Sequence, residues 1–428
     1  MNPPAESRSE AMRTCLEWHA AAAWAVSTLV ILLGAAWGLE RLPAKNEKRE
    51  WLHDGRFGHP SVAAFANSNS DTYLEIAREG YFPDSLRRQT PDQGPYKRAV
   101  FFPAYPLAIR AVSKAFGWNE GVAGLVISQF CWLAALLLLA RYWRPAAAGE
   151  GDPASSPRTS ATALWLFACW PPGLFFRTIH TESLFLLFAV CALLALRKLG
   201  LGWQAALASA LASATRVTGL GVACAVGIEC LRTGSLGRRI SRSIVWGTLS
   251  AAGLLIYMGW LAATIGQPFA FSSEQIHYAR RAPVSLAENV WCLLTFRPLW
   301  ELYLPETEVF WARPAHIEPW MVFSLTAANP VYFLLGVAML YVGWRRRILS
   351  PAETAYCGFV VLVPYVTHAD RTGMLAQGRY GSIAFPLAMC AARLLERAPS
   401  AVVAAVVAAE AAWLGVVAFL LASGHTVI

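Results

Sequence analysis

Runs of apolar residues close to bilayer length recur at about 20–39, 122–140, 160–179, 183–196, 244–265, 320–343, 352–368, 381–396 and 399–422. Each approaches the ~20 residues that a helix needs to cross a hydrocarbon core. One more apolar stretch, Trp203 to Leu231, carries Arg216 in its middle, followed by Gly219 and Gly221. The polar residues between these runs are unevenly signed. Arg141, Arg144 and Arg158 mark one connection as cytoplasmic, and Arg197 with Lys198 mark another. Arg232, Arg238, Arg239 and Arg242 form a third cluster, and Arg345, Arg346 and Arg347 a fourth. If 203–231 crossed once, the last two clusters would lie on the opposite face from the first two. Two short helices joined at Arg216 put every cluster inside, as the positive-inside rule requires, and leave Arg216 near the outer surface where its charge costs less. The pattern therefore predicts an all-α polytopic membrane protein with about eleven transmembrane helices, forming one domain over residues 1–428.

The same topology puts three segments outside: a long first loop, 43–121, a second loop, 267–319, and a short stretch from Thr367 to Tyr380. The stretch with Gly149–Gly151 and Ser155–Ser156 reads as a cytoplasmic linker. The first apolar run follows Arg8 and Arg13 but has the length of a retained anchor rather than a signal peptide.

Composition sharpens this picture. Of 428 residues, 56% are hydrophobic and 15% charged, against about 25% charged in an average soluble protein, so the chain lacks the polar surface to hide its apolar residues in water. A net charge of +9 would point to nucleic acid in a soluble protein. Here the cations sit in short clusters between apolar runs, which argues against that partner. Of nine cysteines, Cys131, Cys169, Cys191, Cys224, Cys357 and Cys390 fall in apolar runs, without CxxC or metal-ligand spacing, and are expected to be small buried hydrophobes.

Chemistry gathers in the first outer loop. Residues 70–81 read as a short amphipathic helix, with Asn and Ser before it and Gly80 ending it. The Phe101-Phe102-Pro103-Ala104-Tyr105-Pro106 segment is expected at headgroup depth, with a helix entering after Pro106. Asp71 would then lie at the membrane surface beside an apolar shelf, a setting for a substrate with a polar head on a lipid tail. An ordinary Asp near pKa 4 is a poor base, so a base at this position needs burial to raise it. The plainer role is to complement the helix N-terminus.

These residues resemble the PIG-V-like mannosyltransferases, the bacterial and archaeal relatives of the eukaryotic enzyme that adds the second mannose to GPI anchors. The resemblance rests on Asp71 with Tyr73, Ile76-Ala77, Gly80-Tyr81, Phe101-Phe102-Pro103-x-Tyr-Pro and Arg110. It continues through Thr181-Glu182-Ser183-Leu184-Phe185, Ala214-Thr215-Arg216-x-x-Gly219, Gln275 with Arg280, and Arg379-Tyr380 with Phe385-Pro386. Where the family usually has Trp before the aspartate, this chain has Ser70. The resemblance implies the GT-C fold, with short interfacial helices in its first outer loop. It further implies an inverting transfer of a sugar, mannose by analogy, from a polyprenyl-phosphate donor to an acceptor hydroxyl outside the cytoplasm.

Such a transfer needs a base for the acceptor and cations for the departing phosphate. Asp71 is the expected base, with Glu182 assisting it or holding acceptor hydroxyls. Arg216 and Arg379 are the expected phosphate ligands, with a structural ion pair and interfacial snorkelling as the respective plain readings. Tyr73, Arg110, His180, Gln275, Arg280 and Tyr380 are expected to line the substrate. His277, and His368 with Asp370, lack a third ligand at clear spacing, so neither metal nor cofactor is expected. No GxGxxG motif opens a helix after a strand, which argues against a nucleotide-sugar donor. Glycolipid, glycan and protein acceptors all fit, as does a small membrane subunit alongside the chain. A lipid-linked-sugar transporter would instead spread ionisable groups through the bilayer and carry internal repeats, and none is evident. A non-catalytic lipid-sugar binding subunit stays open. Short soluble loops without an ER-retention signal favour a prokaryotic plasma membrane.

Overall fold

The computed structural model describes residues 5–42, 50–52, 55–87, 94–144, 156–199, 202–232, 235–275, 285–307, 310–311, 322–372 and 374–425. Every regular element among them is helical. The chain opens with α1 (Ala5–Glu40) and continues through α2 (Ser68–Glu79), α3 (Ala104–Phe116) and α4 (Glu120–Tyr142). Next come α5 (Pro157–Cys169), a 3-10 turn at Pro171–Arg177, α6 (Glu182–Leu199), α7 (Trp203–Thr215) and α8 (Gly219–Cys230). Then follow α9 (Leu236–Ser250), α10 (Ala252–Ile265), α11 (Leu286–Leu294), α12 (Leu325–Arg345) and α13 (Pro351–Thr372). Helices α14 (Gln377–Ser382), α15 (Pro386–Leu394) and α16 (Ser400–Ala422) end the chain. Four described helices are long and apolar enough to cross a membrane, or up to six if two bent pairs each count as one span. The protein is an all-α, multi-pass membrane protein.

The breaks follow local chemistry. The run expected at 160–179 ends as a helix at Cys169, because Pro171 and Pro172 cannot continue the backbone ladder. The chain turns through the 3-10 segment, and α6 leaves it at 97°. The run expected at 244–265 begins earlier, at Leu236, and bends by 60° at Ala251. The run at 381–396 is interrupted between Ser382 and Pro386, giving α14 and α15. Residues 203–231 are two helices of 13 and 12 residues, broken at Arg216, which is extended at φ −157° and ψ 151°. Gly219 allows the break to close tightly, since a Cβ there would collide with the Ser213 backbone.

The first loop is substantially helical. Helix α2 starts on a capping box, Asn67 with Ser70, and stops at Gly80, whose φ of 92° suits glycine. Ser70 is fully buried, and its hydroxyl accepts the Asn67 backbone N–H at 3.1 Å. The next helix begins at Ala104 rather than after Pro106. A proline in the first turn costs nothing there, because its missing N–H would have had no intrahelical partner. The third outer stretch is also shorter than expected. Helix α13 runs on through Thr372, carrying Pro364 inside it, and α14 opens at Gln377. Residues 145–155 of the linker lie outside the described residues, but Ser156 caps α5 by accepting from Thr159 N at 3.1 Å.

The main apolar core runs through α4, α5, α6, α7, α8 and α13. Helices α1 and α16 pack along each other, backbone close to backbone at Gly34 and Gly415. Cys131, Cys169, Cys357 and Cys390 are buried as expected, and Cys191 is half-buried. Cys224 is exposed, a correction that follows from its position on the outward side of α8.

Candidate functional site

Three breaks in the helical ladder meet at one point. Glu182 is the first residue of α6, Arg216 sits in the break between α7 and α8, and Arg379 lies on the six-residue α14. Glu182 is completely buried, and its Oε1 accepts from Arg216 Nη1 and from Arg379 Nε. Arg216 and Arg379 keep only 11% and 7% of their side chains exposed. Such a cluster survives burial only because each charge has a partner in direct contact. Arg216 Nη1 also donates to Thr181 Oγ1 at 3.2 Å. The guanidinium of Arg216 lies 5.5 Å from the centre of the Tyr380 ring, and that of Arg379 lies 4.9 Å from Phe175. Two cations and one carboxylate leave one positive charge in excess.

The cluster is incompletely satisfied. Glu182 Oε2 and His180 Nε2 are both buried and without a hydrogen-bond partner. The other ring nitrogen of His180 is 2.9 Å from Thr178 Oγ1. Buried polar atoms are normally paired, so two open ones on residues two positions apart mark a place for a ligand's hydroxyls or for water.

Tyr73 joins this centre to the first loop. Its ring meets His180 edge-on at 6.4 Å and packs against Phe101 at 4.8 Å and Tyr105 at 5.3 Å. Burial raises the Tyr73 phenol above its ordinary value, while the nearby charges of Arg379, Glu182 and Arg216 partly offset one another. Tyr105 in turn donates to Gly124 O at 2.9 Å, which ties α3 to α4.

Asp71 stands in a different charge neighbourhood. Residues two apart on a helix point to roughly opposite sides, and Asp71 faces away from the side on which Tyr73 meets the cluster. It accepts from Arg56 Nη1 at 2.7 Å, and its other charged neighbours are Glu75 and Arg78. Burial raises its carboxyl above the ordinary value, with Arg56 opposing the shift. That is the direction a general base requires.

Six of the ten residues expected to form a site thus converge: Glu182, Arg216, Arg379, Tyr380, His180 and Tyr73. Of the others, Asp71, Arg110 and Gln275 do not join them. Arg110 closes the C-terminal end of α2, donating from Nε to Ala77 O at 2.6 Å and from Nη2 to Ile76 O at 3.1 Å. Gln275 donates to Phe271 O at 3.5 Å, within its own turn of chain. Arg280 and His277 lie outside the described residues, as do the side chains of His368 and Asp370. No group of three metal-ligating side chains occurs among the described residues.

Sequence reasoning missed Arg56, which pairs with Asp71, and Arg177, which holds the segment leading into the site. Arg56 lies fifteen positions before Asp71, in a loop without periodicity to flag it. Arg177 is fully buried over the Trp132 ring at 4.9 Å and holds the 3-10 segment through Gly173 O at 3.4 Å. An arginine after Pro-Pro-Gly inside an apolar run was a readable signal for the second. Comparison of the chain with protein-family models, with curated proteins and with solved structures gives no match.

Proposed function

We propose that the protein is an inverting glycosyltransferase of the GT-C type that moves a sugar, mannose by resemblance, from a polyprenyl-phosphate donor to an acceptor hydroxyl on the extracytoplasmic face. The observation that carries this reading is the buried Glu182–Arg216–Arg379 cluster with one positive charge in excess. A phosphodiester carries one negative charge, and guanidinium groups bind it through charge-assisted hydrogen bonds. Glu182 holds both arginines through one oxygen, so their remaining N–H groups stay available for phosphate oxygens. The topology that goes with this reading has eleven passes, with short and bent apolar helices counted as crossings, the arginine clusters inside and Asp71 outside.

Asp71 faces away from the cluster, so helix α2 would have to turn to bring its carboxylate over the acceptor. Asp71 would then take the proton from the acceptor hydroxyl as the acceptor oxygen attacks the anomeric carbon. The bond from that carbon to the phosphate oxygen breaks, and polyprenyl phosphate leaves with the electron pair, held by Arg216 and Arg379. The proton on Asp71 then passes to water. A phosphate is a weakly basic leaving group, so no strong general acid is needed. His180 Nε2 and Glu182 Oε2 would take sugar hydroxyls, and Tyr73 would pack against the sugar. Glycolipid, glycan or protein could supply the acceptor.

The test is release of polyprenyl phosphate by the purified protein from a panel of polyprenyl-phosphate sugars. The wild type should release it from at least one donor, and Asp71→Asn should lower the rate by about 10²-fold or more, within the range for general-base loss. No release from any donor sinks the transferase reading. Release that survives Asp71→Asn sinks the assignment of the base.

A further inference from the structure

A second polar feature lies in the hydrocarbon layer, on the other side of α14. Glu410 is the eleventh residue of the 23-residue α16, roughly 16 Å from either end at 1.5 Å per residue. That places it near the middle of an apolar span, where an ionisable side chain marks a functional site by default. It makes no hydrogen bond or ion pair with any described residue, and its Oε2 is buried.

Glu410 lines a cavity of about 230 Å³ between α5, α12, α13, α14, α15 and α16. The Tyr332 hydroxyl lines it too and is likewise buried without a partner, so the two groups share the space without bonding to each other. The rest of the wall is mostly apolar, including Leu166, Phe167, Phe333, Val361 and Leu387. Leu335, Met339, Ala388 and Ala391, all exposed or half-buried, form a rim on the outside of the bundle.

We propose that this cavity binds an amphiphile whose long apolar body ends in a hydrogen-bond donor, an alcohol or an amine, with the donor on Glu410 and Tyr332. The volume decides the class. An apolar cavity of about 150 Å³ takes one benzene ring, so this one takes an extended chain or small ring system but not a helix. A plain hydrocarbon would leave the carboxyl and the hydroxyl unpaired, at the full cost of their desolvation. A phospholipid head is too large and belongs at the surface. Helix α14 presents Gln377, Gly378, Gly381 and Ser382 to this cavity and Arg379 to Glu182, so an occupant rests against the helix that completes the charged cluster. The inference stands on the cavity and is independent of sugar transfer.

The test is photo-crosslinking of the full chain in phosphatidylcholine nanodiscs with a photoreactive dodecanol, competed by dodecanol, dodecylamine or dodecane. Crosslinks should map to the cavity walls. Dodecanol or dodecylamine should compete at concentrations about tenfold below dodecane, and whichever is stronger identifies the head group. Glu410→Leu should bring all three competitors within about twofold of one another. Ala388→Trp, which fills the rim, should abolish the crosslinks, and it decides the matter if Glu410→Leu fails to fold. Dodecane competing as well as the polar probes overturns the proposal. So does a head-group preference that survives Glu410→Leu, or crosslinking undiminished by Ala388→Trp.

Discussion

Glu182 engages two arginines through a single oxygen, and this one residue bears most of the electrostatic burden of the site. Removing its charge would leave two buried guanidinium groups unpaired. Breaking a buried pair typically costs about 3–5 kcal/mol. Glu182→Gln should therefore lower the thermal midpoint of the purified protein by several degrees, while Arg110→Gln, which touches only helix-end carbonyls, should lower it less. Equal midpoints for Glu182→Gln and the wild type would mean that the cluster is hydrated rather than buried. A second prediction concerns Asp71. Burial raises its carboxyl and Arg56 pulls it back down. A base works only when deprotonated, so transfer should fall as pH drops through that raised value. Arg56→Gln removes the opposing cation, and the acid limb of the pH–rate profile should move to higher pH. An unmoved limb would show that Asp71 is not the titrating group.

Helices α1 and α16 show how much an element depends on absent side chains. Gly34 and Gly38 form a GxxxG step on α1, and a Cβ on Gly34 would collide with the Gly415 carbonyl. Small residues at such steps let membrane helices approach closely, where packing rather than water exclusion drives association. Gly34→Leu should cost about 1–3 kcal/mol by overpacking and lower the temperature at which the protein aggregates. Gly237→Leu, at a position with open space around it, is the control and should change little. This step was readable in the sequence but gave no sign of its partner. By contrast, the stop at Gly80 was legible to the residue, because it acts within one turn of chain. The start was legible only approximately: the helix expected from residue 70 begins at Ser68, capped by Asn67. The break in 203–231 was legible too, since a lone arginine in an apolar run had to escape the bilayer interior.

For the whole molecule, the sidedness of the loops is the property on which the functional reading turns. Single cysteines should settle it in cells expressing a variant whose exposed Cys15 and Cys224 are replaced by Ser. A cysteine at Ser85 should react with an impermeant maleimide from outside, and one at Arg346 only after permeabilisation. Labelling of both from the same side would remove the common face on which a lipid phosphate and an acceptor have to meet.

The sequence by itself determined that the chain is helical and membrane-embedded, where its first loop stops a helix, and that its middle apolar stretch breaks at Arg216. Those are consequences of local hydropathy, backbone geometry and the cost of a charge in hydrocarbon, which act over a few residues. Only the tertiary structure decided that Glu182 binds Arg216 and Arg379 across nearly 200 positions, that Tyr73 rather than Asp71 faces them, and that Arg110 is spent on α2. Which buried charges neutralise one another depends on which helix ends meet, and a linear pattern of polar and apolar residues carries no record of that meeting.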